Sequence, residues 1–251
     1  MLKATSDADK LYAGYAQTRP NYRVPTQSAE LLSVREPGFR KHFLPLLPTD
    51  KSARILDLGC GYGEFPYFLQ RNGYTNAGGV DLDDMQLETG RSLGVRNLHW
   101  GDATVVLGES RRDFEFISAI DVLEHVPKNK VLELLKQIHS ALRPGGRFVC
   151  QVPNLAAFYS PMFHMDFTHE TPFTAPSLKQ ALQLARFDNV RVLPMGPVAH
   201  GIKSAVRCVL WKGITTCLRF VQTVEGGPQD ALSSIYTAAI LASADKPKLL
   251  S

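Results

Sequence analysis

Arg54-Ile55-Leu56-Asp57-Leu58 running into Gly59-Cys60-Gly61-Tyr62-Gly63-Glu64 decides the fold. A short apolar run that ends in glycines reads as a buried strand turning sharply at the carboxyl edge of a sheet. Glycines at that edge let the backbone approach a ligand closely. The spacing is GxGxG, whereas dinucleotide-binding folds prefer GxGxxG. Charge discriminates further. Asp57 ends the strand and Glu64 follows the loop, so a pyrophosphate would meet two carboxylates. A ligand with an amino group and a sulfonium, and no phosphate, is favoured there instead. Alone, the loop is a weak signal and equally describes a tight strand-to-helix turn.

Outward from this loop the pattern alternates strand and helix, the signature of a parallel sheet covered on both faces. Ala77–Asp81, Asn97–Trp100 and Phe114–Ile120 read as the second, third and fourth strands, and Arg147–Val152 as the fifth. Val131, Leu134, Leu135, Ile138 and Leu142 recur at helical spacing before the Pro144-Gly145-Gly146 stop. Ser177–Phe187 is a further amphipathic helix, Val190–Leu193 a sixth strand and Ile235–Ser243 the last. The expected fold class is α/β, a Rossmann-like doubly wound, mostly parallel seven-stranded sheet. Residues 1–52 are expected to form a helical lead-in punctuated by Pro20, Pro25, Pro37, Pro45 and Pro48, and residues 53–251 the main domain.

Composition excludes several classes. With 44% hydrophobic and 21% charged residues, the chain is neither disordered nor a coiled coil. Four cysteines at 60, 150, 208 and 217 make neither a disulfide scaffold nor a zinc knuckle. The start, MLKATSDADKLYAGY, lacks a signal peptide's apolar centre. No stretch reaches the roughly 20 apolar residues of a membrane span. The expectation is a cytoplasmic enzyme. The net charge is +4, from 28 bases and 24 acids. Met195 to Val224 holds Lys203, Arg207, Lys212 and Arg219 and no acid, so the remainder balances at 24 against 24.

The acids at successive strand ends sharpen the ligand. Asp81 ends the second strand, where a carboxylate can accept both hydroxyls of a ribose. Asp102 follows the third and could accept from an adenine amino group. Each alone is as readily a helix cap. Three at three consecutive strand ends outline adenosine with an amino-acid tail.

Taken in order, ILDLGCGYGEF, GVDLDD, GDA, FISAIDVLEHVP and LRPGGRFVCQVPN resemble the class I S-adenosylmethionine-dependent methyltransferases, over roughly residues 53–193 and 235–247. The resemblance implies S-adenosyl-L-methionine as cofactor. Asp57, Gly59 and Gly61 would line its methionine end, Asp81 its ribose and Asp102 its adenine, with Cys60, Leu82, Ala103 and Ile120 as further cofactor-binding residues.

Asp121-Val122-Leu123-Glu124-His125 follows the fourth strand, and His164-Met165-Asp166-Phe167-Thr168-His169 lies in the loop after the fifth. Asp121, Glu124, His125 and His169 make a mixed nitrogen and oxygen set suited to a divalent cation. The arrangement is similar to the E-x-x-E-H…H metal site of ubiquinone-pathway O-methyltransferases and small-RNA 2′-O-methyltransferases, with Asp121 replacing the first Glu. That resemblance implies Mg²⁺ or Mn²⁺ gripping adjacent hydroxyls. An L-E-H triplet is also common in methyltransferases without metal. His169, His125 and Asp166 are then the candidate catalytic residues, an imidazole serving as general base.

Asp166, Thr168, His169, Phe173, Thr174, Ser177 and Leu178 match a D-x-T-H…F-T-x-x-S-L pattern. That pattern is similar to bacterial methyltransferases of surface-glycan and saccharide biosynthesis. The family ends its next helix with A-G-F, whereas this chain has Ala185-Arg186-Phe187 and lacks that glycine cap. The leading expectation is O-methylation of a small-molecule or glycan acceptor, specifically a saccharide hydroxyl. A quinone-pathway or phenolic acceptor is the alternative enzyme reading, and a cofactor-binding scaffold the non-enzyme one. Nucleic acid is disfavoured by the neutral body of the chain.

The basic segment is read as a helical insertion at about 198–230. On a helical wheel Lys203 and Arg207 share a side, and Lys212 and Arg219 lie roughly opposite, so no single clean amphipathic face emerges. Gly213 is a candidate break into two short helices. A lid or a dimer contact through 203–219 is the leading expectation. A peripheral contact with anionic lipid at the inner membrane is the sharper one.

Overall fold

The computed structural model describes residues 23–109, 113–227 and 235–248. Residues 1–22 of the expected lead-in and 228–230 of the expected insertion lie outside these. Seven strands, β1 (Ile55–Leu58), β2 (Ala77–Asp81), β3 (Leu98–Trp100), β4 (Phe114–Ile120), β5 (Leu142–Pro153), β6 (Asp188–Pro194) and β7 (Ala239–Asp245), form one sheet in the order 3-2-1-4-5-7-6. Only β7 runs antiparallel to its neighbours. The order reverses between β1 and β4, and a doubly wound sheet opens its ligand crevice at that switch point. The expected fold class is the observed one.

Alternation along the central strands shows both faces covered. In β4, Ile117 and Ala119 join one core and Phe116 and Ile120 the other. In β5, Phe148 and Cys150 face the first core and Val149 the second. The first core is closed by α4 (Lys128–Ala141) through Leu135 and Ile138, and by α5 (Ala175–Leu184) through Leu178 and Leu182. The second is closed by α1 (Glu64–Arg71), and α2 (Asp84–Ser92) covers a small cluster beside it. Two further helices of seven residues or more are α3 (Ala103–Glu109) and α6 (Ile202–Gly226).

Four expectations change. Phe39 and Phe43 of the lead-in pack against Phe65 and Phe68 with ring centroids 5.1–5.4 Å apart. The described part of the lead-in therefore shares a core with the sheet and α1 rather than standing apart as a cap. The last strand starts at Ala239, not Ile235. The ladder with β5 ends at Pro153, and the carbonyls of Ile235 and Thr237 accept instead from the Asn154 amide. The helix expected at Ser177–Phe187 begins at Ala175, because Thr174 and Ser177 form a reciprocal capping box around it. Gly213 breaks nothing: α6 is one helix of 25 residues.

Candidate active site

The carboxyl ends of β1 to β4 surround a cavity of about 550 Å³. The glycine loop forms its floor. Gly59 has φ +63°, and a Cβ there would meet Val122 Cγ2 at 2.6 Å, so neither the backbone nor the space admits a side chain. Asp81 fixes the loop from β2: its Oδ2 accepts from the Gly61 N–H at 2.7 Å and its Oδ1 from the Asp83 N–H at 2.9 Å. Burial raises its pKa despite these bonds.

Of the expected cofactor residues, Gly59, Cys60, Gly61, Asp81, Leu82, Asp102, Ala103 and Ile120 line this cavity. Asp102 also caps α3, its Oδ1 accepting from the Thr104 N–H and hydroxyl at 2.7 Å each. Asp57 does not line it. Its carboxylate is buried beneath the loop and accepts from the Ser118 hydroxyl at 2.7 Å. Burial pushes its pKa up to about 7, against the opposing pull of Ser118 and Arg35. Glu64, Asp81, Asp83, Asp102 and Asp121 line the cavity against Arg23 and Arg35. That balance suits a cationic guest and opposes a pyrophosphate.

Asp121 departs from its expected role. It sits in the left-handed region at φ 57°. Arg35 Nη2 donates to its Oδ2 at 2.8 Å and Gln151 Nε2 to its Oδ1 at 2.7 Å. Both carboxylate oxygens are thereby committed to a structural clamp. Among the described residues the close group of ligand-type atoms is Glu124, His125 and His169, all within 4.8 Å of one another, without Asp121.

That group is assembled across two loops. Leu123–His125 is a single 3-10 turn after β4. The 168–171 loop docks onto it, the N–H groups of Glu170 and Thr171 donating to the Glu124 carbonyl at 2.8 and 3.0 Å. His169 Nε2 lies 3.9 Å from Glu124 Oε1 and 4.0 Å from Asp166 Oδ2. Hydrogen bonding fixes both rings. His169 Nδ1 is 2.9 Å from the Phe163 carbonyl, which can only accept, so Nδ1 carries the proton. The Thr168 hydroxyl gives its one proton to Asp166 Oδ1 at 2.7 Å. It therefore accepts from His125 Nδ1, 2.9 Å away. In its neutral form each ring thus keeps its lone pair on Nε2.

Two lone-pair nitrogens and a buried carboxylate are a donor set that fits a divalent cation, and the bonds at Nδ1 are the outer-shell orientation such ligands require. The same atoms fit a general base. Asp166 acts through Thr168, which makes it a positioning residue. Only His125 of the group also lines the cavity at the strand ends, so the two regions meet there. In the glycan-like pattern, Phe173 and Leu178 are core residues and Thr174 and Ser177 cap α5. That half of the pattern serves the fold.

Arg35, Ser118, Gln151 and the role of Thr168 were not read from the sequence. Ser118 and Gln151 left a faint signal as uncharged polar residues within the apolar runs of their strands. Arg35 left none.

A family profile described as a methyltransferase domain matches residues 34–192. The chain is 30% identical over 118 residues to a demethylmenaquinone methyltransferase of Staphylococcus epidermidis, covering 45% of this chain and 48% of the relative. It is 30% identical over 115 residues to a ubiquinone biosynthesis O-methyltransferase of Aeromonas salmonicida, covering 39% and 44%. The aligned part thus spans about half the length of these curated relatives. Its fold is similar to a SAM-dependent methyltransferase from Archaeoglobus fulgidus, with a TM-score of 0.62 at 20% identity over 87% of this chain and 97% of that one.

Proposed function

The chain belongs to the methyltransferase-domain family, and from that premise we propose that it methylates a hydroxyl group of a saccharide or glycan precursor, using S-adenosyl-L-methionine. The observation that carries the reading is the meeting of an acid-lined cavity with an oriented imidazole at His125. S-adenosyl-L-methionine supplies a methyl group on a sulfonium whose charge the acids of the cavity favour. The glycine loop and Asp81 would seat the nucleoside end, and Asp57 and Asp121 would hold negative charge beneath and beside the amino-acid end. His125 or His169 would take the acceptor proton at Nε2 as the acceptor oxygen forms its bond to the methyl carbon. When bound, the cofactor would supply that methyl carbon, with sulfur as the leaving group keeping the electron pair of the carbon–sulfur bond. Positioning of the hydroxyl is the main source of acceleration.

In place of that base chemistry, Glu124 and the same Nε2 atoms of His125 and His169 would hold a divalent cation, Mg²⁺ or Mn²⁺, which rather than an imidazole would then lower the pKa of the acceptor hydroxyl. The Asp166-Thr168-His169 half of the glycan-like pattern supports the saccharide acceptor. A second reading, a phenolic hydroxyl of quinone-pathway type, is favoured by the similarity to the Aeromonas salmonicida protein. Release of S-adenosylhomocysteine, followed with sugar nucleotides and with catechols, separates the two. Turnover with catechols alone overturns the saccharide assignment. Calorimetry that finds NAD bound and S-adenosyl-L-methionine ignored overturns the whole reading.

A further inference from the structure

The helix α6, between β6 and β7, serves none of the chemistry above. Only Ser204 among its residues is buried. It is tied to the body along one line. Ser204 Oγ accepts from the His200 N–H at 2.8 Å, Cys208 Sγ reaches the Pro197 carbonyl at 3.3 Å, and Tyr236 reaches the Leu218 carbonyl and Gln222. At about 100° per residue these positions form one narrow stripe.

The opposite side is apolar and bare. Ile202, Val206, Val209, Leu210, Phe220 and Val224 are 52–86% exposed and fall along a single outward face. Lys203 and Arg207 border this face on one edge, and Lys212 and Arg219 on the other. Sequence alone does not say which side of this helix faces the protein. With the buried stripe fixed, the bases that looked opposed become two flanks of one apolar surface. No acid occurs from 195 to 224.

We propose that α6 lies in the plane of a membrane surface bearing anionic lipid. Its apolar face enters the headgroup boundary, and its four bases extend sideways to phosphates. The helix is roughly 37 Å long at 1.5 Å per residue, and no helix among the described residues is long and apolar enough to cross a membrane. A second copy is the weaker occupant: α6 carries four bases and one acid, Glu225, so a two-fold contact would bring basic edges together with too little negative charge to answer them. Anionic headgroups answer both edges at once. The proposal is independent of which hydroxyl is methylated.

The test is sedimentation of the full chain with vesicles of phosphatidylcholine alone and of phosphatidylcholine containing phosphatidylglycerol. Wild type pellets with the second, remains largely in solution with the first, and is weakened by salt. Lys212→Gln/Arg219→Gln lowers partitioning about 30-fold, that is about 2 kcal/mol at about 1 kcal/mol per base. Phe220→Ser lowers it roughly tenfold or more, the weight of one buried aromatic ring. Both variants melt like wild type, because they alter solvent-facing positions. Wild type that stays in solution with the anionic vesicles, or variants that bind unchanged, overturn the proposal. A wild-type dimer that Phe220→Ser dissociates also overturns it, assigning the face to a second copy.

Discussion

The His125 ring and the Thr168 hydroxyl lie 2.9 Å apart, and a third group sets the direction of their bond. Asp166 takes the hydroxyl's only proton, so Thr168 accepts from Nδ1 and leaves Nε2 as the basic nitrogen. Thr168→Val removes this acceptor and leaves the tautomer free to change. Initial rates should fall 10–100-fold in kcat, the usual cost of losing an outer-shell partner, with little change in the KM for S-adenosyl-L-methionine. Thr168→Ser should restore the rate and the wild-type pH profile. A Val variant with unchanged kcat removes the orienting role.

Chelation separates the two chemistries that Glu124, His125 and His169 allow. Turnover should be lost in EDTA and return with Mg²⁺ or Mn²⁺. Calorimetric binding of Mn²⁺ should disappear in His169→Ala, independently of turnover. Unchanged activity in chelator leaves the imidazoles acting as bases alone.

Asp57 makes the protein less stable as pH rises. Burial lifts its folded-state pKa to about 7 from 3.8. Between those values the folded state binds more protons than the unfolded chain, so the free energy of unfolding falls across that window and levels off above it. Asp57→Asn cannot ionise. Its melting temperature at pH 8 should exceed wild type by more than about 3 °C, and the gap should close towards pH 4. Cofactor affinity should drop, since the charge beneath the loop is gone. Parallel melting curves for the two proteins would refute this account.

Arg35 holds Asp121 at 2.8 Å and lies 3.4 Å from Glu64, bridging the lead-in to the cavity wall. Arg35→Ala leaves Asp121 without its cationic partner in a left-handed backbone. The KM for S-adenosyl-L-methionine should rise about tenfold, as roughly 1.4 kcal/mol of positioning is lost, with the melting temperature nearly unchanged because Arg35 is 39% exposed. An unchanged KM would confine the clamp to the fold.

Arg186 stands at φ 69°, just past α5, where the glycan family carries glycine. A side chain there costs about 1–2 kcal/mol, offset by glycine's greater freedom when unfolded. Arg186→Gly should therefore raise the melting temperature by about 2–4 °C without affecting turnover. A lower melting temperature would show that the Arg186 side chain contributes more than its strained backbone costs.

The amino-acid sequence determined the parallel sheet, the glycine turn and the acids at successive strand ends. All three are local. Period-two and period-3.6 apolarity set the elements, and a residue just after a parallel strand must lie at the sheet's ligand edge. The cavity residues were legible for that reason, and so was the missing cap glycine at Arg186. Tertiary structure alone decided the partnerships. Arg35 meets Asp121 from 86 residues away, and Thr168 meets His125 from 43. Their contact depends on how the lead-in and the 168–171 loop pack, which no spacing encodes. The same holds for α6: its residues were readable, but which side faces water follows from the stripe that docks on Pro197 and Tyr236.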